Sequence, residues 1–222
     1  MIMSAGAASS ARAALRFPNS RCLAVNNTVP ANSVAEFIKY VKANPGKISY
    51  GSLSAGTPSH FLGAMFNRST GTDILHVPYR GSGPATVALL ANEVHAVFNT
   101  TAASMEMYKA GKIKLLAVTG AERSPALPDV PTFRELKLDL GAIEEADMWY
   151  GFLAPGKMPR ATVLELNGMI RKALDDPTVR ARLLTLDIEA VTDTPEDFAK
   201  IVRDDYERWG GIIRASGFTL SE

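Results

Sequence analysis

The residues with chemistry to offer are concentrated in one stretch, Lys47-Ile48-Ser49-Tyr50-Gly51-Ser52-Leu53-Ser54-Ala55-Gly56-Thr57-Pro58-Ser59-His60. A short apolar segment ending at Tyr50 runs into a loop of small and hydroxylated residues, and Thr57 and Pro58 are of the types that occupy an N-cap and a first helical position. Glycine lets a backbone come close to a guest, hydroxyls can donate, and the first amides of a helix have no partner within it. A strand, a small-residue loop and a helix start in this order suit an anion. A second loop of the kind, Arg80-Gly81-Ser82-Gly83-Pro84, follows another apolar run. A Gly/Ser loop by itself is also compatible with a tight strand-to-helix connection that binds nothing.

Other chemistries fit these residues less well. Ser52-Leu53-Ser54-Ala55-Gly56 departs from a nucleophile elbow, Gly-x-Ser-x-Gly, at its first position. A serine hydrolase using Ser54 and His60 would still need an orienting acid, which the sequence does not supply. Neither loop has the lysine or spacing of a phosphate loop, and no Gly-x-Gly-x-x-Gly follows a strand, so no nucleotide cofactor is expected. His60, His76 and His95 show no ligand spacing, so no metal is expected, and each reads as a structural or surface histidine.

Composition narrows the classes further. The 222 residues are enough for one large domain or two small lobes. With 24 basic and 23 acidic side chains the net charge is +1, which argues against a nucleic-acid surface. No apolar run approaches the roughly 18 residues needed to span a bilayer. Cys22, the one cysteine, lies in an apolar run and reads as a buried structural thiol. Residues 1 to 20 carry scattered arginines but no uninterrupted apolar stretch, so they are expected to be loosely attached and to hold no export signal.

The elements that must position the loops follow from periodicity. Strands are expected at Cys22 to Val25, Ile48 to Tyr50, Ile74 to Tyr79, Val94 to Phe98 and Ile113 to Thr119, the last apolar on both faces like a central strand of a parallel sheet. Helices are expected between them. One starts at the capping box Ser33-Val34-Ala35-Glu36, one at Thr57-Pro58, one follows Pro84 with Val87, Leu89 and Leu90 inward, and one runs from Ala102 to Lys109. This alternation predicts an open α/β sheet, with the loops after Tyr50, Tyr79 and Phe98 at one edge, where such sheets bind ligands. Pro125, Pro128 and Pro131 mark an irregular connection with a short helix near Thr132 to Lys137. Trp149 to Ala154 reads as a last strand, its Trp149 and Tyr150 being either core aromatics or a wall facing a ligand. Helices then follow through Leu164 to Leu174, from Pro177, and from Thr194-Pro195-Glu196-Asp197 to Trp209.

Several linked motifs identify a family resemblance. Val34-Ala35-Glu36-Phe37-Ile38 with Ala43-Asn44-Pro45-Gly46-Lys47, Gly56-Thr57-Pro58-Ser59-His60, His76-Val77-Pro78-Tyr79-Arg80-Gly81, Ala117-Val118-Thr119, Arg123-Ser124-Pro125-Ala126-Leu127-Pro128-Asp129-Val130-Pro131-Thr132 and Trp149-Tyr150-Gly151-Phe152-Leu153-Ala154-Pro155 closely resemble the solute-binding proteins of tripartite tricarboxylate transporters, the Bug family. The resemblance implies a periplasmic-binding-protein type II-like α/β fold, with a small carboxylate held between two lobes and delivered to membrane permease subunits. It implies a periplasmic protein without catalytic residues or cofactors. Carried over by motif, ligand contacts fall on Ser52, Ser54, Gly56, Thr57, Tyr79 and Gly81. Asn99 and Thr100 follow by position, where the family has Asp-Asn and this chain lacks the carboxylate.

Against that family, residues 1 to 20 match nothing. The resemblance therefore implies one complete α/β lobe with a mostly parallel sheet over 21 to 146. Residues 147 to 222 would supply a crossing strand and the C-terminal helices of an incomplete second lobe. A chain lacking part of one lobe would expose apolar helix faces, with aggregation, dimerisation or weakened binding as the expected consequences. The alternative function is accordingly a truncated, non-binding fragment of such a receptor.

Overall fold

In chain order the structure, a computed structural model, describes residues 8–9, 14–17, 21–143, 148–185, 188–191 and 194–219. Its elements are β1 (Ala8–Ser9), β2 (Ala14–Phe17), β3 (Arg21–Asn26), α1 (Val34–Ala43), β4 (Ser49–Ser52), α2 (Pro58–Thr70), β5 (Leu75–Pro78), α3 (Ser82–Leu90), β6 (Ala96–Thr100), α4 (Thr101–Lys109) and β7 (Ile113–Val118). After a 3-10 turn at Gly141–Ile143 come β8 (Met148–Gly151), β9 (Ala154–Pro155), α5 (Arg160–Leu174), α6 (Pro177–Leu184), β10 (Glu189–Val191) and α7 (Pro195–Ser216). By contacts the chain divides into a smaller unit, Met1–Pro18 with Asp147–Gly210, and a larger one, Asn19–Ala146 with Gly211–Glu222. The last twelve residues thus group with the larger unit, whereas the sequence reading placed everything after 146 in the other lobe.

The larger unit is built on a five-stranded sheet of order β5-β4-β6-β3-β7. β4 runs parallel to β5 and β6, and β3 runs antiparallel to both β6 and β7. Four strands therefore share one direction, and β3 alone opposes them. Strand alternation sends Cys22 and Ala24 to a cluster with Ala85, Leu89, Val97, Met105 and Leu115. Across the sheet an aromatic core joins Phe66 to Phe37, Phe98 and Phe133, with centroids 6.2, 5.7 and 6.4 Å apart. Helices on both faces give the layered α/β architecture. Cys22 is fully buried, and burial lifts its thiol to about 11, so it stays protonated.

Local signals explain the helix ends. Ser33 Oγ accepts from the Glu36 amide at 3.2 Å and caps α1, while Glu36 Oε2 accepts from the Asn32 amide at 2.7 Å. The capping box therefore closes one residue earlier than its usual reciprocal form. Gly71, at φ +60°, ends α2 in the left-handed conformation.

Three expectations about the larger unit are corrected. β7 ends the sheet order instead of lying centrally, and its burial comes from the proline-rich connection. The Val118 amide donates to Pro131 O and the Phe133 amide to Val118 O, both at 3.0 Å, so that segment covers the strand edge. Residues 132 to 137 form turns, with Lys137 at φ +55°, and not a helix. On α3 the inward residues are Ala85, Ala88 and Leu89, whereas Val87 is 65% exposed and Leu90 half-exposed. Two alanines let the helix sit close to the sheet, and residue 87 then faces outward by helical geometry.

In the smaller unit β2 pairs antiparallel with both β8 and β10, and β1 pairs with β9. The first twenty residues therefore contain paired strands where loose chain was expected. Their short apolar run, Ala14 to Phe17, alone gives no sign of its distant partners. Trp149 is partly buried within this unit. Its ring meets Phe198 edge-on, with centroids 4.8 Å apart, and its Nε1 donates to Asp205 Oδ2 at 2.5 Å. Tyr150, the next residue along the strand, is exposed.

Candidate functional site

β4, β5 and β6 point the same way, so their C-terminal ends, with the loops that follow, lie along one edge of the larger unit's sheet. α2, α3 and α4 begin at that edge with their positive ends toward it. None of the three has an acidic residue in its first turn, a feature they share with α5 and α6, whereas α1 carries Glu36 there and α7 carries Glu196 and Asp197. The edge is left with helix-end amides, hydroxyls and glycines, without carboxylates in those turns to answer them.

The first loop is tied into a definite shape. Ser52, fully buried at the end of β4, donates from Oγ to Ser54 O at 3.0 Å. The same oxygen lies 2.7 Å from His76 Nε2. Gly56 adopts φ +71°, a conformation that glycine takes without strain, and its amide donates to His60 Nδ1 at 3.1 Å. Thr57 is the N-cap residue by position, but its hydroxyl makes no cap bond. It turns back to Ser54 O at 2.6 Å and lies 3.0 Å from Ser59 Oγ. Ser59 Oγ in turn accepts from the Leu53 amide at 2.9 Å.

The second loop hangs from the first. The Tyr79 amide donates to Ser52 O and the Gly81 amide to Leu53 O, both at 2.9 Å. Gly81, at φ +105°, is the N-cap position of α3. The Tyr79 ring lies over Gly51, where an added Cβ would meet ring carbon Cε2 at 3.1 Å and Val97 Cγ2 at the same distance. A side chain at position 51 would push the ring away.

The third segment is tied from the interior. Asn99 is nearly fully buried; its Nδ2 donates to Thr86 Oγ1 at 3.0 Å, and its Oδ1 accepts from the Thr100 amide at 2.8 Å. Thr86 passes the chain on to Ser82 O at 2.8 Å, so Asn99 braces the first turn of α3. Thr100 Oγ1 accepts from the Ala103 amide at 3.4 Å and caps α4.

All eight residues singled out from sequence therefore lie at one edge. Ser54, Gly56, Thr57, Tyr79, Gly81 and Thr100 are at least partly accessible there, while Ser52 and Asn99 are buried behind them. Sequence reasoning missed His76, Ser59 and Phe218 as parts of the site. The His60 and His76 rings stack with centroids 4.0 Å apart at an interplanar angle of 7°. Phe218 stands edge-on to His60 and Phe61, at 5.4 and 5.5 Å. Strand alternation could have placed His76 toward the α2 side, but no local signal announces Phe218. The hydrolase pairing is not assembled, because His60 Nδ1 faces the Gly56 amide and, among the described residues, no bond joins Ser54 to His60. Nor do the described residues gather three His, Cys, Asp or Glu side chains suited to a metal.

A mixed sheet clothed by helices, with an anion-suited edge of helix starts, is the architecture of a periplasmic-binding-protein lobe. Residues 16–218 match the tripartite tricarboxylate transporter family receptor, and the chain belongs to that family. It is 35% identical over 189 residues to a UPF0065 protein of Pseudomonas sp., covering 83% of this chain and 56% of that one. It is 33% identical to protein BugT of Bordetella pertussis, with 89% and 60% covered. Among solved structures, an R. palustris protein with adipate superposes at a TM-score of 0.86 with 28% identity, over 97% of this chain and 71% of that one. MatC of Rhodopseudomonas palustris with bound malate gives 0.77 and 26%, over 93% and 69%. The chain spans between 56% and 60% of the length of three curated relatives that it matches.

Proposed function

We propose that this chain carries the carboxylate-binding lobe of an extracytoplasmic receptor, which captures a small organic acid for a tripartite tricarboxylate transporter. The observation that carries the reading is the edge where three helices begin without an acidic residue in their first turns, beside glycine and hydroxyl loops. An anion there meets the hydroxyls of the loops and the positive ends of three dipoles, each worth about 0.3–1 kcal/mol. Ser54, Gly56, Thr57, Tyr79, Gly81 and Thr100 contact the ligand, while Ser52 and Asn99 hold the loops from behind.

The site binds and does not transform its ligand, and the protein acts in the periplasm with membrane permease subunits as partners. Adipate and malate in the solved neighbours support a dicarboxylate or related acid as the ligand class. No helix among the described residues is long and apolar enough to cross a membrane, which is in keeping with a receptor that hands its cargo to separate permease subunits.

The test is a thermal-shift screen of the chain against adipate, malate, citrate, glutamate and benzoate. A ligand at about 100 times its Kd adds about 2.7 kcal/mol to the folded state. The expected result is a melt raised by at least one acid and no longer raised in Thr57→Val. A cooperative melt indifferent to every acid would overturn the proposal in favour of a non-binding fragment.

A further inference from the structure

We propose that His60 is a positioning residue for the carboxylate-binding loop, acting as a neutral imidazole whose bare Nδ1 holds the Gly56 amide while His76, stacked on it, fixes the ring plane. The inference rests on the carboxylate-binding reading of this edge and adds to it the device that shapes the loop.

Hydrogen positions follow from the partners. The Gly56 amide can only donate, so Nδ1 of His60 presents a lone pair and the ring carries its proton on Nε2. Ser52 Oγ gives its hydrogen to Ser54 O and accepts from His76, whose proton is therefore also on Nε2. His60 is therefore neutral in this arrangement, and the two rings lie 4.0 Å apart, where two imidazolium charges would repel strongly. Burial lowers the pKa of both rings, that of His76 to about 4, with the charge of His60 as a second cause.

The surroundings offer an imidazolium little help. From β4, Tyr50 places its ring 5.0 Å from His76 and donates its hydroxyl to His60 O at 3.2 Å, and burial keeps that phenol protonated. Phe61 of α2 and Phe218 of the C-terminal segment cover His60 with hydrocarbon. Among the described residues no Asp, Glu, Lys or Arg forms an ion pair or hydrogen bond with either ring. His60 in contact with this many fixed rings has little freedom to turn away from Gly56.

A proton added to His60 would go to Nδ1 and face the Gly56 N–H with a second donor. The bond would break, and the loop from Ser54 to Thr57 would keep its ties at Ser54 O but lose the one at Gly56. Carboxylate affinity should then fall on acidification. A histidine that touched the carboxylate directly would give the opposite slope, since its charge would draw the anion in.

The closing experiment has two arms. In the ligand-free chain, NMR follows the Gly56 amide proton and the His60 ring nitrogens through a pH titration. The Gly56 signal should move with His60, at a midpoint below the ordinary value of about 6.5. In His60→Ala its hydrogen exchange should speed up about tenfold, and in His60→Asn it should stay protected. The asparagine Oδ1 takes the place of Nδ1 and does not titrate in this range. A Gly56 signal indifferent to His60, or unchanged exchange in His60→Ala, would overturn the proposal.

In the second arm malate and adipate are titrated about one unit above and one unit below pH 6.5. Both acids lose some dianion at the lower pH, so the readout is the difference between chains. Wild type should weaken more on acidification than His60→Asn, which keeps only the ligand's own protonation effect. His60→Ala should bind about tenfold more weakly than wild type at the higher pH. Equal slopes for wild type and His60→Asn, or tighter binding by wild type at the lower pH, would refute the tether. If neither acid binds wild type, the receptor reading for these ligands fails, and the first arm still decides the role of His60.

Discussion

Replacing Gly56 with alanine tests the geometry of the site most directly. At φ +71° an alanine is strained by about 1–2 kcal/mol. Its Cβ would also stand 3.0 Å from Cε1 and Cζ of Phe218, so that ring must give way. Phe218 meets His60 and Phe61 edge-on, and disturbing such contacts costs about 0.5–1.5 kcal/mol. Gly56→Ala should therefore destabilise the chain by about 1.5–3.5 kcal/mol. Urea unfolding followed by circular dichroism, with the slope unchanged, gives the value.

A double-mutant cycle separates the two parts. Phe218→Ala removes the steric conflict and leaves the backbone strain, so the pair should show a coupling of about 0.5–1.5 kcal/mol. Gly56→Asn should cost less than Gly56→Ala, because asparagine enters the left-handed region more readily. A Gly56→Ala chain within about 0.5 kcal/mol of wild type would refute the left-handed loop, and an additive cycle would refute the Phe218 contact.

Asn26→Ala should cost about 2–4 kcal/mol in the same assay, since the side chain donates to Leu89 O at 2.6 Å and accepts from the Thr28 amide and hydroxyl at 2.8 Å while nearly fully buried. Gly151→Ala should lower stability by about 1–3 kcal/mol, because its Cβ would lie 2.5 Å from Cζ of buried Phe198, and tryptophan-monitored melting reads the change. Stability should also fall in acid. His76 titrates at about 4 when folded, chiefly through burial, so the unfolded chain takes up more protons than the folded one between about 6.5 and 4. That contribution is whole above about pH 6.5 and lost as the pH falls to about 4; allowing for the ring's partial exposure it is on the order of 1–2 kcal/mol, and His76→Gln should flatten the slope in a pH series of urea melts.

The larger unit was legible because each element announces itself locally. Apolar runs bounded by Gly, Pro and Asn gave the strands, and the Ser33 box and Thr57-Pro58 marked helix starts near where they occur. The site edge was legible for the same reason, since loops after parallel strands must share an edge. What stayed hidden depends on contacts distant in sequence. Nothing near Ala14 to Phe17 shows that its partners are 148–151 and 189–191. Burial of β7 at the end of the sheet resembles that of a central strand, because the cover comes from residues 131 to 133. The stacking of His60 on His76 joins a helix start to a strand and has no spacing signature.

The three-stranded sheet of the smaller unit has a consequence for synthesis. β2 must wait for β8, made roughly 130 residues later, and then for β10, while the strands of the larger unit's sheet all come between β2 and β8. At about 5–20 residues per second the delay to β8 is about 7–26 s. Throughout it, Ala14 to Phe17 has neither of its neighbours in the finished sheet, and both of its edges stay open to a strand from another nascent chain. The larger unit's sheet can form first, so the early segment's exposure is set by the time taken to translate that unit.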